Sequence, residues 1–254
     1  RTGLIGPYYR WLERRQARAL GDEAVDDGRP MPPAELVVLV SGPSRAWFSQ
    51  RGKSDAAAFR ALAARHGADI AAGLDVLDFG CGAGRIARWL APEVIAAGGA
   101  FHGSDLNPKL AAWCAANLPG TYAVNDLRPP LGNAAGSLDL IYAHSVLTHL
   151  TEATAHAWLA ELARVLRPGG VALLTFHDEA YAQAAAPGGI ARRLAGGEGY
   201  IVWNDALEGS NYLSAWTTRV RLGEMAAPWY EVLEIIPGRN DEPAQAISVL
   251  KRRA

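Results

Sequence analysis

The chain has few cysteines, no long apolar run and no excess of either charge. Of 254 residues only Cys81 and Cys114 are cysteine. They fall in an expected turn and an expected helix, so neither a metal-ligand pair nor a disulfide framework is encoded, and no metal is expected. A reducing cytoplasm is the compartment this implies. No apolar stretch reaches bilayer-spanning length and no signal peptide is visible, so no membrane association is expected. The chain starts at Arg1, which leaves a removed targeting segment open. Lys and Arg total 25 against 26 Asp and Glu. That balance gives no bulk electrostatic case for nucleic acid or an anionic membrane. The length accommodates one large α/β domain with an extension, or two small domains.

What is present is an alternation of elements. Residues 7–20 read as a helix, with Tyr8, Trp11, Leu12 and Arg15 at helical spacing. Residues 21–33 read as an acidic, proline-rich loop. Short helices are expected over residues 33–40 and 44–50, broken at Gly42-Pro43, and Ser54 is placed to cap a third running to His66. From Leu74 onward, strands are expected over residues 74–79, 100–104, 121–124, 137–143 and 171–176. Helices are expected between them, one over residues 151–166 with Glu152 and Glu161 on its outer side. A glycine-rich gap at residues 187–199 precedes two late strands at 230–236 and 246–250. The pattern predicts an α/β fold: a Rossmann-like, doubly wound, mostly parallel seven-stranded sheet with an N-terminal helical extension over residues 1–70. The sheet domain covers residues 71–254 and has a lid-like insertion near residues 180–228.

The run Val76-Leu77-Asp78-Phe79-Gly80-Cys81-Gly82-Ala83-Gly84-Arg85 reads as a buried strand, a glycine turn and a helix start. Gly80, Gly82 and Gly84 let the backbone bend and let a ligand approach closely. At the carboxyl end of a strand, such a turn is where an open α/β sheet binds a nucleotide-like cofactor. The dinucleotide fingerprint requires a third glycine at position 85, which is Arg85. Asp105 stands 21 residues past Gly84 at the end of the second strand. A carboxylate there accepts hydrogen bonds from ribose hydroxyls, with Leu106 and Asn107 beside it; the alternative is an N-cap for the next helix. Asn125-Asp126 ends the third strand, where an amide or carboxylate reads the adenine amino group; the alternative is an Asx turn before Pro129-Pro130.

Four ordered segments resemble the class I S-adenosylmethionine (SAM) dependent methyltransferases. Asp78-Phe79-Gly80-Cys81-Gly82-Ala83-Gly84 is similar to the family's motif I, and Gly103-Ser104-Asp105 to its acidic motif. The stretch from Ser137 to Leu150 resembles motif IV, and Glu161 to Gly170 resembles the segment leading into the fifth strand. Gln245-Ala246-Ile247-Ser248-Val249-Leu250, with Pro33-Ala34-Glu35-Leu36, Trp47-Phe48 and Gly52, is similar to a subgroup found with polysaccharide and secondary-metabolite genes. The resemblance implies SAM as cofactor, held by Asp78, Gly80, Cys81, Gly82, Gly84, Asp105, Leu106, Asn125, Asp126 and His144. It implies a small-molecule acceptor: a sugar, a glycan or a secondary metabolite.

Methyl transfer from a sulfonium needs alignment and desolvation. An alcohol acceptor benefits from a base near neutral pH, for which histidine is suited, whereas an amine must arrive neutral and a carboxylate needs no base. His144, after the fourth strand, and His177, after the fifth, are the candidate catalytic residues; for each, a packed loop histidine is the alternative. This favours O-methylation slightly. Tyr142, His149, Tyr212 and Trp216 are candidates for the substrate pocket, the last two in an aromatic segment that forms a lid or a satellite core. Relatives often have a histidine after this tyrosine, where Ala215-Trp216-Thr217 stands here. The cluster Tyr8-Tyr9-Arg10-Trp11 caps the same site or mediates a homodimer. Competing readings are an N-methyltransferase of a small amine, a catalytically silent binding module and an NAD-dependent oxidoreductase.

Overall fold

Strand β1 (Val76–Phe79) is buried along its whole length, as an apolar run must be when helices cover both faces of a sheet. The structure, a computed structural model, describes residues 5–20, 25–241 and 244–254. The start of the loop expected over residues 21–33 lies outside the described residues. After β1 come β2 (Phe101–Asp105), β3 (Thr121–Val124), β4 (Leu138–Ala143) and β5 (Leu166–Phe176). A small antiparallel pair follows, β6 (Tyr200–Trp203) and β7 (Ser214–Thr217), and then β8 (Tyr230–Ile236) and β9 (Ala246–Arg252). The main sheet has seven strands in the order β3-β2-β1-β4-β5-β9-β8. All its neighbours from β3 to β5 are parallel, and β9 runs antiparallel to both β5 and β8. The order reverses between β1 and β4, so a crevice opens at their carboxyl ends.

The helices are α1 (Ile5–Leu20), α2 (Ala34–Ser41), α3 (Arg45–Arg65), α4 (Ala87–Ala96), α5 (Pro108–Asn117), α6 (Glu152–Val165), α7 (Glu179–Ala185), α8 (Ile190–Ala195) and α9 (Arg219–Ala226). One face of the sheet packs on Trp158, Leu159 and Leu162 of α6 and on Leu222 and Met225 of α9. The other packs on Phe59 and Leu62 of α3, Leu90 and Val94 of α4, and Cys114 of α5. Helix α3 therefore belongs to the main core, while Leu36, Val37 and Val38 of α2 gather with Leu20, Phe48, Ala83 and Leu110 in a separate cluster. Within the insertion, Ala182, Ile190, Leu194, Ile201 and Trp216 form a small cluster of their own. No helix among the described residues is long and apolar enough to cross a membrane.

Three sequence expectations are corrected. The helices expected over residues 44–50 and 54–66 are one 21-residue helix, α3. Its cap is Ser44, whose hydroxyl accepts from the Trp47 N–H at 3.1 Å; Ser54 lies inside the helix. Glu161, expected outside, is buried, accepting from the Leu131 N–H at 2.7 Å and pairing with Arg164. The gap at residues 187–199 contains α8, whose Ile190 and Leu194 are buried.

Gly52 explains how α3 approaches the crevice. A mid-helix glycine costs about 1 kcal/mol relative to alanine, but a Cβ at this position would run into the Arg85 carbonyl oxygen. The missing side chain lets the helix lie directly on the chain that leaves the glycine turn. Gly52→Ala is expected to lower stability by about 2 kcal/mol through this overlap, measured by urea denaturation; unchanged or raised stability would show that the contact relaxes freely.

Candidate active site

The crevice is a cavity of about 840 Å³, within the range of small-molecule sites. Its floor is the turn after β1. The N–H groups of Gly80 and Cys81 both donate to the Ser104 carbonyl of β2, at 2.8 and 2.9 Å. The Gly82 N–H donates to Asp105 Oδ2 at 2.8 Å, and the Asn107 N–H to Asp105 Oδ1 at 2.8 Å. Gly80 and Gly82 adopt φ of +77° and +55°, a region that suits glycine. Asn107 caps α5, accepting from the Lys109 N–H at 3.0 Å.

Of the residues assigned to the cofactor from the sequence, Asp78, Gly80, Cys81, Gly82, Asp105, Leu106, Asn125, Asp126 and His144 all line this cavity. Gly84 does not. It sits behind the floor, where a Cβ would run into Leu118, so its place is in packing the turn against α5. Asn125 donates from Nδ2 to the Asp126 carbonyl at 2.8 Å, while its buried Oδ1 has no partner among the described residues. Burial pushes the Asp78 carboxyl up to about 7, against the pull of Arg85. Burial also raises Asp105, opposed by its bonds to Asn107 and Gly82. The Cys81 thiol stays protonated because of its contact with Cys114 and its burial.

His144 follows β4 and lines the cavity, with Nε2 3.4 Å from Asp55 Oδ2. Burial, helped by the nearby Arg85 and Arg51 cations, pushes its imidazole down to about 4, so the ring is neutral at pH 7. Asp55 is shared: Arg85 Nη1 lies 2.6 Å from Oδ2 and Arg51 Nε 3.0 Å from Oδ1. His149 and Tyr212 also line the cavity. His149 Nδ1 bonds the Leu213 carbonyl at 2.8 Å, and burial pushes its imidazole down. The Tyr212 hydroxyl donates to Glu13 at 2.8 Å, and its ring stacks on Tyr9 at 3.5 Å. The insertion and α1 thus meet over the opening. Tyr8, Tyr9 and Trp11 contact one another in a row; the Arg10 side chain lies outside the described residues.

Besides Gly84, three predicted site residues are elsewhere. Tyr142 is fully buried, stacked on Phe59 at 5.3 Å; its strand position turns it into the core. Trp216 belongs to the small cluster of the insertion. His177 is buried and does not line the cavity. Its Nδ1 is 3.1 Å from the Ala215 carbonyl and its Nε2 is 3.3 Å from Gln245 Nε2, so both nitrogens are engaged. That placement is at odds with the base role expected for it. The sequence reading missed Asp55, Arg51 and Gln245. The Arg51–Asp55 spacing at i, i+4 was a visible pairing signal, but nothing in it pointed to His144. Gln245 is 100 residues from its partner Ser145.

Comparison with known proteins agrees with this architecture. Residues 76–170 match the model of a methyltransferase domain family. An uncharacterized methyltransferase of Synechocystis sp. is 32% identical over 109 residues, which is 42% of this chain and 50% of that protein. The chain therefore spans about half the length of this curated relative. A SAM-dependent methyltransferase from Mesorhizobium loti superposes with a TM-score of 0.56 at 20% identity, covering 71% of this chain and 91% of that one. A Burkholderia thailandensis 1,6-didemethyltoxoflavin-N1-methyltransferase, solved with 1,6-didemethyltoxoflavin and S-adenosylhomocysteine bound, gives 0.54 at 16% identity, covering 83% and 82%. The stretch from Val76 to Gly170 is thus similar to a methyltransferase domain, and the sheet around it has the fold of the SAM-dependent methyltransferases.

Proposed function

We propose that the protein is a SAM-dependent methyltransferase acting on a sugar, a glycan or a secondary metabolite, with a hydroxyl as the preferred acceptor. One observation carries this reading. Gly80 and Gly82, the Asp105 carboxylate and Asn125, whose buried Oδ1 lacks a partner among the described residues, border one cavity at the switch point of the sheet. These groups fit an adenosyl donor: Asp105 suits two ribose hydroxyls, and Asn125 Oδ1 accepts from an adenine amino group. When bound, SAM supplies a methyl group on a positively charged sulfonium.

The chain's own groups do the rest. Asp78 offers a carboxylate beside the glycine turn, where a cationic ligand favours its ionised form. Arg85, held by Asp55, occupies the position of the third dinucleotide glycine, which counts against a nicotinamide cofactor. Tyr212 and α1 narrow the opening and exclude water from the reacting atoms. His144 is the candidate to take the proton from an acceptor hydroxyl. Its imidazole, pushed down to about 4, is a weak base, and that observation favours a second reading, a neutral amine acceptor that needs none.

Calorimetric titration tests the cofactor. Binding of SAM and S-adenosylhomocysteine without NAD binding is expected, with a loss of at least tenfold in Asp105→Ala; the reverse preference would end the reading. A second prediction concerns pH. Asp78, raised to about 7, must lose a proton to oppose a cationic donor. SAM affinity should therefore climb as pH rises toward 7 and level off above it, by up to about tenfold per unit. Asp78→Asn should flatten this profile, and a flat wild-type profile would remove Asp78 from the site. Third, His144→Ala should reduce turnover about 100-fold with S-adenosylhomocysteine affinity kept within twofold. Full turnover in that variant would leave the amine reading.

A further inference from the structure

On the far side of the switch point, four polar side chains from separate segments meet. Ser145 follows β4, Thr175 and His177 lie at the end of β5, and Gln245 precedes β9. Gln245 Nε2 donates to Ser145 Oγ at 2.8 Å, and Gln245 Oε1 accepts from Thr175 Oγ1 at 2.6 Å. Thr175 Oγ1 accepts in turn from the Ser145 N–H at 2.7 Å. Ser145 and Gln245 line the cavity. Ser145 has φ of +64°, a conformation a non-glycine residue keeps only when its surroundings hold it.

The proton positions follow from the partners. The Ala215 carbonyl can only accept, so His177 Nδ1 carries the hydrogen and Nε2 is a lone pair. Nε2 then takes the second Gln245 N–H. The acceptor at His177 Nε2 sets the amide orientation; flipped, it would place acceptor against acceptor there, whereas as oriented Gln245 Oε1 takes the Thr175 hydroxyl hydrogen. Thr148 Oγ1 donates to the Ser145 carbonyl at 2.8 Å, so the Ser145 hydroxyl gives its hydrogen to Thr148 Oγ1, 3.0 Å away. Ser145 Oγ accepts one bond from Gln245. A hydroxyl oxygen has two lone pairs, so one remains without a partner among the described residues.

We propose that Ser145 Oγ receives a hydrogen bond from an O–H or N–H of the acceptor, that Gln245 aims it, and that His177 is a positioning residue acting through Gln245. This rests on the methyltransferase reading. With His144 assigned to the reacting proton, the group bound by Ser145 is a second donor on the same molecule. The acceptor class is then a polyol, a catechol or an amino alcohol. An ionised carboxylate has no proton to give and would face a lone pair. His177 stays neutral in this network: burial pushes its imidazole down to about 3, reinforced by His149 and His144. Tyr181 of α7 stacks on it at 4.3 Å and Trp216 of β7 lies at 5.7 Å.

Two measurements on the full chain test this. With 15N-labelled histidine, His177 should show the neutral Nδ1–H form from pH 8 to 5, and Gln245→Ala should shift its Nε2 resonance. An Nε2–H form, or titration in that range, overturns the network. Release of S-adenosylhomocysteine from SAM is then followed with catechol, methyl glucoside, ethanolamine and benzoate as probes. Turnover of at least one of the first three is expected, with KM for it raised about tenfold in Ser145→Gly and in Gln245→Ala. Ser145→Gly keeps the backbone conformation while deleting the hydroxyl. Turnover of benzoate alone, no turnover of any probe, or an unchanged KM in Ser145→Gly overturns the acceptor assignment. Calorimetry with S-adenosylhomocysteine separates the two levels: no binding by the wild type sinks the methyltransferase reading, while intact binding alongside these failures sinks only the inference.

Discussion

The glycine turn is tied to the neighbouring strand by three backbone N–H groups. Gly80 and Cys81 donate to the last-but-one carbonyl of β2, and Gly82 donates to the carboxylate of Asp105. Without these bonds, a loop of three glycines would carry a large conformational entropy and no defined surface. With them, the floor of the cavity is hydrogen-bonded directly to the central sheet. Asp105 does two jobs at once, because its other oxygen holds the Asn107 N–H at the start of α5. Asp105 therefore joins the end of β2 to both the glycine turn after β1 and the start of α5.

The walls depend on that floor. Helix α3 lies against the exit of the turn because Gly52 has no side chain there. That approach brings Asp55 to Arg85, and Asp55 in turn meets His144 from β4. Buried carboxylates and cations of this kind are tolerable only in company: an isolated charge at such depth would be strongly destabilising. Burial, with the Arg85 and Arg51 cations, keeps His144 neutral against the opposing pull of Asp55. Across the cavity, Gln245 links the ends of β4, β5 and β9 through bonds whose directions are all determined by their neighbours. One side of the cavity is thus charged and paired, the other neutral and hydrogen-bonded. The opening between them is narrowed where Tyr212 of the insertion stacks on Tyr9 of α1.

Much of this was legible from residue patterns. The central strands β1, β4 and β5 were recognisable because parallel strands buried on both faces are continuous apolar runs, and the turn because glycine suits its backbone; the pair β6 and β7 inside the insertion was not expected from the sequence. Asp105 was recognisable from its distance along the chain. Tyr142 and Trp216 were misplaced for one reason: an aromatic residue at a strand end or in a lid has the same sequence signature whether it faces a cavity or a core. His177 was misread because composition and spacing do not reveal that both ring nitrogens are already bonded.

The amino-acid order by itself determined the alternation of strands and helices, the glycine turn and the acidic residue beyond it, since these follow from local backbone preference and short-range spacing. Only the tertiary structure decided which polar groups meet. The pairing of Asp55 with His144 and Arg85, and the junction of Ser145 with Gln245, join residues 30 to 100 positions apart. Hydrogen-bond direction and burial act through space, and no local pattern in a chain encodes the partner a side chain will find there.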